Sequence, residues 1–128
     1  MALEPGPVHV LHNFHSTKAE ALADLAALDL WPTTYVSGRM AELPLHWHDV
    51  DNVGYVLEGS SYVVNEVGEH ISLGPGDKLV LPAGAVHAEG TVTDRMVYIV
   101  GISKAENLLD ALLPLQPPET SPLKQTGT

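Results

Sequence analysis

His46 and His48, in the run Leu43-Pro44-Leu45-His46-Trp47-His48-Asp49, are the residues of this chain best suited to chemistry. Residues two apart on a β-strand point to the same face, so both imidazoles would project together. Their Cα atoms would lie roughly 6 to 7 Å apart, close enough for a nitrogen of each ring to reach one metal at about 2.0 to 2.1 Å. Alone, such a pair is equally well explained as two hydrogen-bonded strand histidines. His87 changes the balance, because it follows Pro82-Ala83-Gly84, a turn that would carry a second strand back across the first. Proline sets φ in that turn and glycine supplies a positive one. Upstream, Gly76 after Pro75 makes another tight turn, and Asp77 beside it can accept turn amide protons. Three histidines from two strands would leave two or three coordination positions open, as catalytic metal sites require. Glu89, two residues after His87, would share its face on a regular strand and is a candidate general acid or base.

The elements that must position these side chains are mostly short strands. An alanine- and leucine-rich stretch from Thr17 to about Leu30 predicts a helix that ends before Trp31-Pro32, and Thr17 with Glu20 has the spacing of a capping box. Beyond it, β-prone runs at 33–40, 53–57, 62–67, 71–73, 79–81 and 96–102 are separated by glycine and proline turn signals. Close-spaced strands without intervening helices imply an all-β antiparallel sandwich or barrel. A second helix is expected from Ser103, with Glu106 three residues on, through Leu113. The expectation is one domain over residues 1–114, with a barrel core at about 33–102 and a mobile, proline-rich tail over 115–128.

Composition excludes several function classes. Sixteen acidic against six basic residues give the 128-residue chain a net charge of −10, which argues against nucleic acid or an anionic membrane as partner. The absence of cysteine removes disulfide frameworks, thiolate catalysis and zinc fingers. No 18-residue apolar run or signal-like N-terminal pattern is present, so a cytoplasmic location is the expectation.

The stretch from His46 to Thr91 resembles the two motifs of the cupin superfamily. The first reads His46-Trp47-His48, then Asn52 and Tyr55-Val56-Leu57-Glu58-Gly59; the second reads Gly76-Asp77, Pro82, Gly84 and His87. The resemblance implies a small double-stranded β-helix or jelly-roll barrel with His46, His48 and His87 as metal ligands. Asn52 stands where the family usually carries a glutamate ligand, Thr91 where the second motif often has asparagine, and Met40 where the first often begins with glycine. An amide oxygen is a weak neutral ligand, so a metal held by three imidazoles would keep most of its positive charge and favour an anionic, chelating substrate. Asn52 is a candidate weak ligand or substrate contact, or it only shapes the pocket.

The resemblance is closer to three-histidine non-haem oxygenases than to carboxylate-containing members. The expected cofactor is one divalent transition metal per chain, iron(II) ahead of manganese, nickel or zinc, and the expected substrate a small chelating acid or dicarbonyl. Isomerase, lyase or decarboxylase chemistry without redox is the alternative, as is a non-catalytic sensor for a sugar or acid. Arg39, Tyr62 and Arg95 are weaker candidates for an anion clamp or proton donor, and His9, His12, His15 and His70 are expected to be solvated. An outward Trp47 and the β-prone segment 8–11 suit the homodimer that small cupins usually form.

Overall fold

The computed structural model describes residues 3–103. In chain order the elements are β1 (His9–Leu11), α1 (Lys18–Ala27), β2 (Trp31–Ser37), β3 (Asn52–Glu58), β4 (Ser61–Val64), β5 (His70–Leu73), β6 (Lys78–Leu81), β7 (Ala88–Glu89) and β8 (Met96–Ile102). The strands form two antiparallel sheets, one ordered β1-β6-β3-β8-β2 and the other β5-β4-β7. No described helix is long and apolar enough to cross a membrane.

Alternation along β3 sorts the two sides of the larger sheet. Val56 faces the smaller sheet and packs with Val63, Leu73, Leu79, Val92 and Met96 in the core between them. Val53 and Tyr55 face the other way, against Ala21, Leu25 and Leu30 beneath α1. Each fully buried valine, leucine or methionine contributes about 1.5 to 3 kcal/mol, so these two apolar layers hold the scaffold together. Between α1 and the sheet, Asp24 Oδ2 accepts from the Tyr55 hydroxyl at 2.5 Å and pairs with Lys78 Nζ at 2.6 Å. The ammonium also lies 4.5 Å from the centroid of the Phe14 ring, so the buried charge is compensated on two sides.

Local chemistry explains where elements stop. The capping box forms as the spacing predicts: Thr17 caps the Glu20 amide, and the Glu20 carboxylate accepts from the Thr17 amide. The helix closes at Ala27, and Asp29 follows in the left-handed region at φ 59°, which aspartate tolerates better than most residues. Pro32 lies inside β2, allowed because β2 is an edge strand bonded only to β8. The strand expected over 62–67 stops at Val64, because the Asn65 side chain accepts from the Val67 and Glu69 amides and turns the chain. The strand expected over 96–102 is β8 itself. The helix expected after Ser103 and the tail over 115–128 lie outside the described residues.

Asp77 ties the turn before β6 to the segment after β1. Its carboxylate accepts from the Asn13 amide at 3.0 Å, the Gly74 amide at 2.9 Å and His12 Nδ1 at 3.1 Å. Burial would raise this carboxyl, but the amide donors and His12 outweigh it and hold it below its ordinary value of 3.8. Since the folded value is the lower one, the stabilisation is complete above the unfolded value and is lost as pH falls through the folded one. Asp77→Ala should therefore cost about 2 to 4 kcal/mol in urea unfolding at neutral pH, with the difference shrinking on acidification. A variant as stable as the parent at neutral pH would refute this role.

Candidate metal centre

The chain between β2 and β3 makes no regular strand, so the two histidines of the His-x-His motif are not held by a sheet ladder as the motif suggests. A single antiparallel bridge does that work: His46 faces His87, the His46 amide donates to the His87 carbonyl at 2.8 Å, and the His87 amide returns a bond to the His46 carbonyl at 2.9 Å. Neighbouring contacts lock the bridge in register. The Gly84 amide donates to the His48 carbonyl at 2.8 Å, the Leu43 amide donates to the Glu89 carbonyl at 3.1 Å, and Asp51 Oδ1 accepts from the Ala83 amide at 2.8 Å. The three rings consequently converge, with centroids 4.7 Å apart for His46 and His87 and 5.2 Å from each of these to His48.

Two of the rings have their tautomer set by the backbone. Nδ1 of His46 donates to the Pro44 carbonyl and Nδ1 of His87 donates to the Ala85 carbonyl, each at 2.8 Å. A carbonyl can only accept, so Nδ1 carries the proton and a neutral ring turns the Nε2 lone pair toward the centre. Metal-binding histidines are oriented in this way by their outer hydrogen bonds.

Glu89, from β7, brings a carboxylate onto those lone pairs. Its Oε1 lies 3.1 Å from His46 Nε2 and its Oε2 lies 2.8 Å from His87 Nε2. Even so, the buried His87 Nε2 has no aligned hydrogen-bond partner. Two ligand atoms each about 2.1 Å from a metal, at right angles to one another, stand about 3.0 Å apart, so these spacings fit neighbouring ligands of one ion. One donor atom from each of His46, His48, His87 and Glu89 lies within 4.8 Å of the others. The residues present therefore fit a divalent transition metal, in their chemistry and in the orphaned nitrogen they leave.

The electrostatics follow from the same packing. Burial, followed by the neighbouring His87, pushes His48 below its ordinary value, which favours the neutral ligating form. Burial would also raise Glu89, but the His87 contact and the three surrounding imidazoles overcome it and keep the carboxylate ionised more strongly than usual. Burial alone would lower His87, and the Glu89 carboxylate with the Ala85 carbonyl reverses the sign and raises it.

The other sequence candidates are placed as follows. Asn52 is buried at the start of β3, on the face it shares with Gly54 and Val56, and its side chain makes no hydrogen bond among the described residues. Arg39 Nε donates to the Thr93 carbonyl at 3.3 Å, and Arg95 lies 3.7 Å from Glu58 with both side chains exposed. The Tyr62 hydroxyl donates to Glu42 at 2.6 Å, while its ring stacks on His70 with centroids 4.4 Å apart. His15 is buried edge-on against Tyr55 rather than solvated, and His12 binds Asp77. Glu89 was legible as an acid sharing the face of His87, but not as the carboxylate bridging two of the rings. Tyr98 was missed: between Val97 and Ile99 it reads as an ordinary core position of β8.

Comparison with known proteins agrees with this fold. No curated protein sequence matches the chain. A DUF861 family protein of Thermotoga maritima superposes with a TM-score of 0.52 at 19% identity, over 73% of this chain and 96% of its own. The DMSP lyase DddQ of Ruegeria pomeroyi gives 0.51 at 23% identity, over 60% of this chain and 39% of the lyase. The polyketide cyclase RemF of Streptomyces resistomycificus gives 0.50 at 26% identity, over 59% of this chain and 55% of the cyclase. The cupin domain model matches residues 34–102, which is 69 of the 128 residues and takes in the His-x-His motif, His87 and Glu89. With two antiparallel sheets and both motifs in place, this chain belongs to the cupin domain family.

Proposed function

We propose that this protein is a metal-dependent enzyme that holds one divalent first-row transition metal per chain on His46, His48, His87 and Glu89 and acts on a small acid or dicarbonyl that chelates it. The observation that carries the reading is the 2.8 Å approach of the Glu89 carboxylate to His87 Nε2. With Nδ1 committed to the Ala85 carbonyl, a neutral ring would set a lone pair against an anion there, so a proton or a metal ion must lie between them, and the lack of an aligned hydrogen-bond partner for Nε2 supports the metal. A bound metal would supply Lewis acidity toward a carbonyl or carboxylate oxygen.

The chain's own residues do the rest. The Pro44 and Ala85 carbonyls fix two rings, and Glu89 adds the single negative charge that Asn52 does not provide. The centre then carries about one net positive charge rather than the two expected for three neutral imidazoles, enough to favour an anionic chelator. Asn52, buried on the inward face of β3, is the neutral amide proposed to contact that chelator. Non-redox chemistry (lyase, isomerase, cyclase or decarboxylase) is preferred, supported by two structural neighbours, a lyase and a cyclase. An iron(II) oxygenase is the second reading, favoured by the three clustered imidazoles. A homodimer is also proposed, because β1 is bonded on one side only and Trp47 is 61% exposed.

Purified protein should contain about one first-row metal per chain by elemental analysis. The pair His46→Ala with His87→Ala should abolish it, and Glu89→Gln should weaken metal affinity by at least about tenfold. Full metal content in the double variant would contradict the centre. Metal-loaded protein supplied with β-dicarbonyls, α-hydroxy acids and thiols should turn over at least one of them without oxygen. Turnover that requires and consumes oxygen would replace this reading with the oxygenase, and no turnover in either atmosphere would leave a binding protein.

A further inference from the structure

Tyr98 faces the space between the sheets. It pairs with Val56 of β3 on one side and Tyr35 of β2 on the other, so the three side chains share one face of the larger sheet. Its ring packs against the inner core and lies over the Gly54 backbone, where an added Cβ would sit 3.5 Å from the ring edge. Tyr55 and Tyr62 donate their hydroxyls to Asp24 and Glu42. The hydroxyl of the half-buried Tyr98 has no such partner among the described residues, and it is not fully enclosed. A phenol in that position meets solvent or a ligand. Glu89 of β7 is paired with Val63 of β4, and Val63 lies in the same inner core that Tyr98 packs against, so the Glu89 and Tyr98 side chains enter the space between the sheets from its two walls. Burial, then the Glu89 carboxylate and Tyr35, push the phenol up to about 12, so it keeps its proton. Tyr35, with its ring centroid 6.3 Å away and 40% exposed, continues the aromatic wall to the open edge of the sheet.

We infer that Tyr98 is the substrate-facing hydrogen-bond donor of the metal centre, donating its hydroxyl proton to an acceptor oxygen of the chelating acid or carbonyl compound. The inference rests on the metal-centre reading above and adds to it a specificity element. A neutral donor on the inner face rewards a carbonyl or carboxylate oxygen and gives nothing to an apolar or nitrogen-only ligand. With Asn52 on the neighbouring strand of the same face, it makes the open side of the centre polar within an otherwise apolar core.

The test uses the full chain loaded with cobalt(II), titrated with oxalate and, separately, with imidazole, which lacks an acceptor oxygen, and followed by the visible absorption of the metal. Tyr98→Phe keeps the ring and should leave cobalt affinity and imidazole affinity within about twofold of the parent, while oxalate affinity falls about tenfold. Tyr62→Phe, on the other sheet, should change none of the three. Equal oxalate affinity in Tyr98→Phe, equal loss for oxalate and imidazole, or a cobalt-loaded parent that binds no oxalate would overturn the role of Tyr98 and leave the metal centre standing. Failure of the parent to bind cobalt at one per chain would overturn the centre itself.

Discussion

His87 Nε2 and a carboxylate oxygen of Glu89 stand 2.8 Å apart, a spacing that a proton or a metal ion between them must satisfy, and much of the surrounding structure serves to keep them there. The nitrogen cannot turn away, because Nδ1 of the same ring is held by the Ala85 carbonyl. The backbone cannot slide, because His46 and His87 exchange both amide bonds, and Gly84 and Ala83 are tied to His48 and Asp51. Water does not reach His87 freely, since its side chain is 1% exposed. A metal ion bound there would take the place of the proton that Glu89 otherwise favours on His87, so metal binding should be coupled to proton release.

The scaffold separates this centre from a second polar cluster on the opposite face of the larger sheet. Lys78 and Tyr55, at outward positions of β6 and β3, meet Asp24 of α1 and join the helix to the sheet. Inward positions of the same strands, Leu79 and Val56, belong to the core on the side of the candidate metal centre. Alternation with period two thus lets one strand serve a structural ion pair on one side and the interior on the other. Asp77, between the two, fixes the turn from which β6 starts.

Sequence patterns revealed the fold where local chemistry and tertiary context agree. Thr17 with Glu20 marked the start of α1, and the run from Met96 to Ile102 marked β8, because capping and β-propensity act over a few residues. Pairing across the chain was less legible. The His-x-His motif implied a strand, yet His46 is held by a lone bridge to His87, a contact spanning forty-one positions that no local pattern encodes. Asn52 at the expected carboxylate position implied an uncharged ligand set, whereas the carboxylate comes from β7, a strand of two residues too short to register as one. Tyr98 stayed hidden because an inward tyrosine in an apolar strand looks the same whether its hydroxyl is satisfied or free.

The central claim is that one cation joins His46, His48, His87 and Glu89. A crystal structure of protein loaded with a first-row metal, with diffraction recorded at that metal's absorption edge, tests it most directly. The account predicts a single anomalous peak at about 2.0 to 2.2 Å from Nε2 of His46, Nε2 of His87, a ring nitrogen of His48 and a Glu89 oxygen. A peak elsewhere, or one at the histidines with the Glu89 carboxylate turned away from it, would contradict the account.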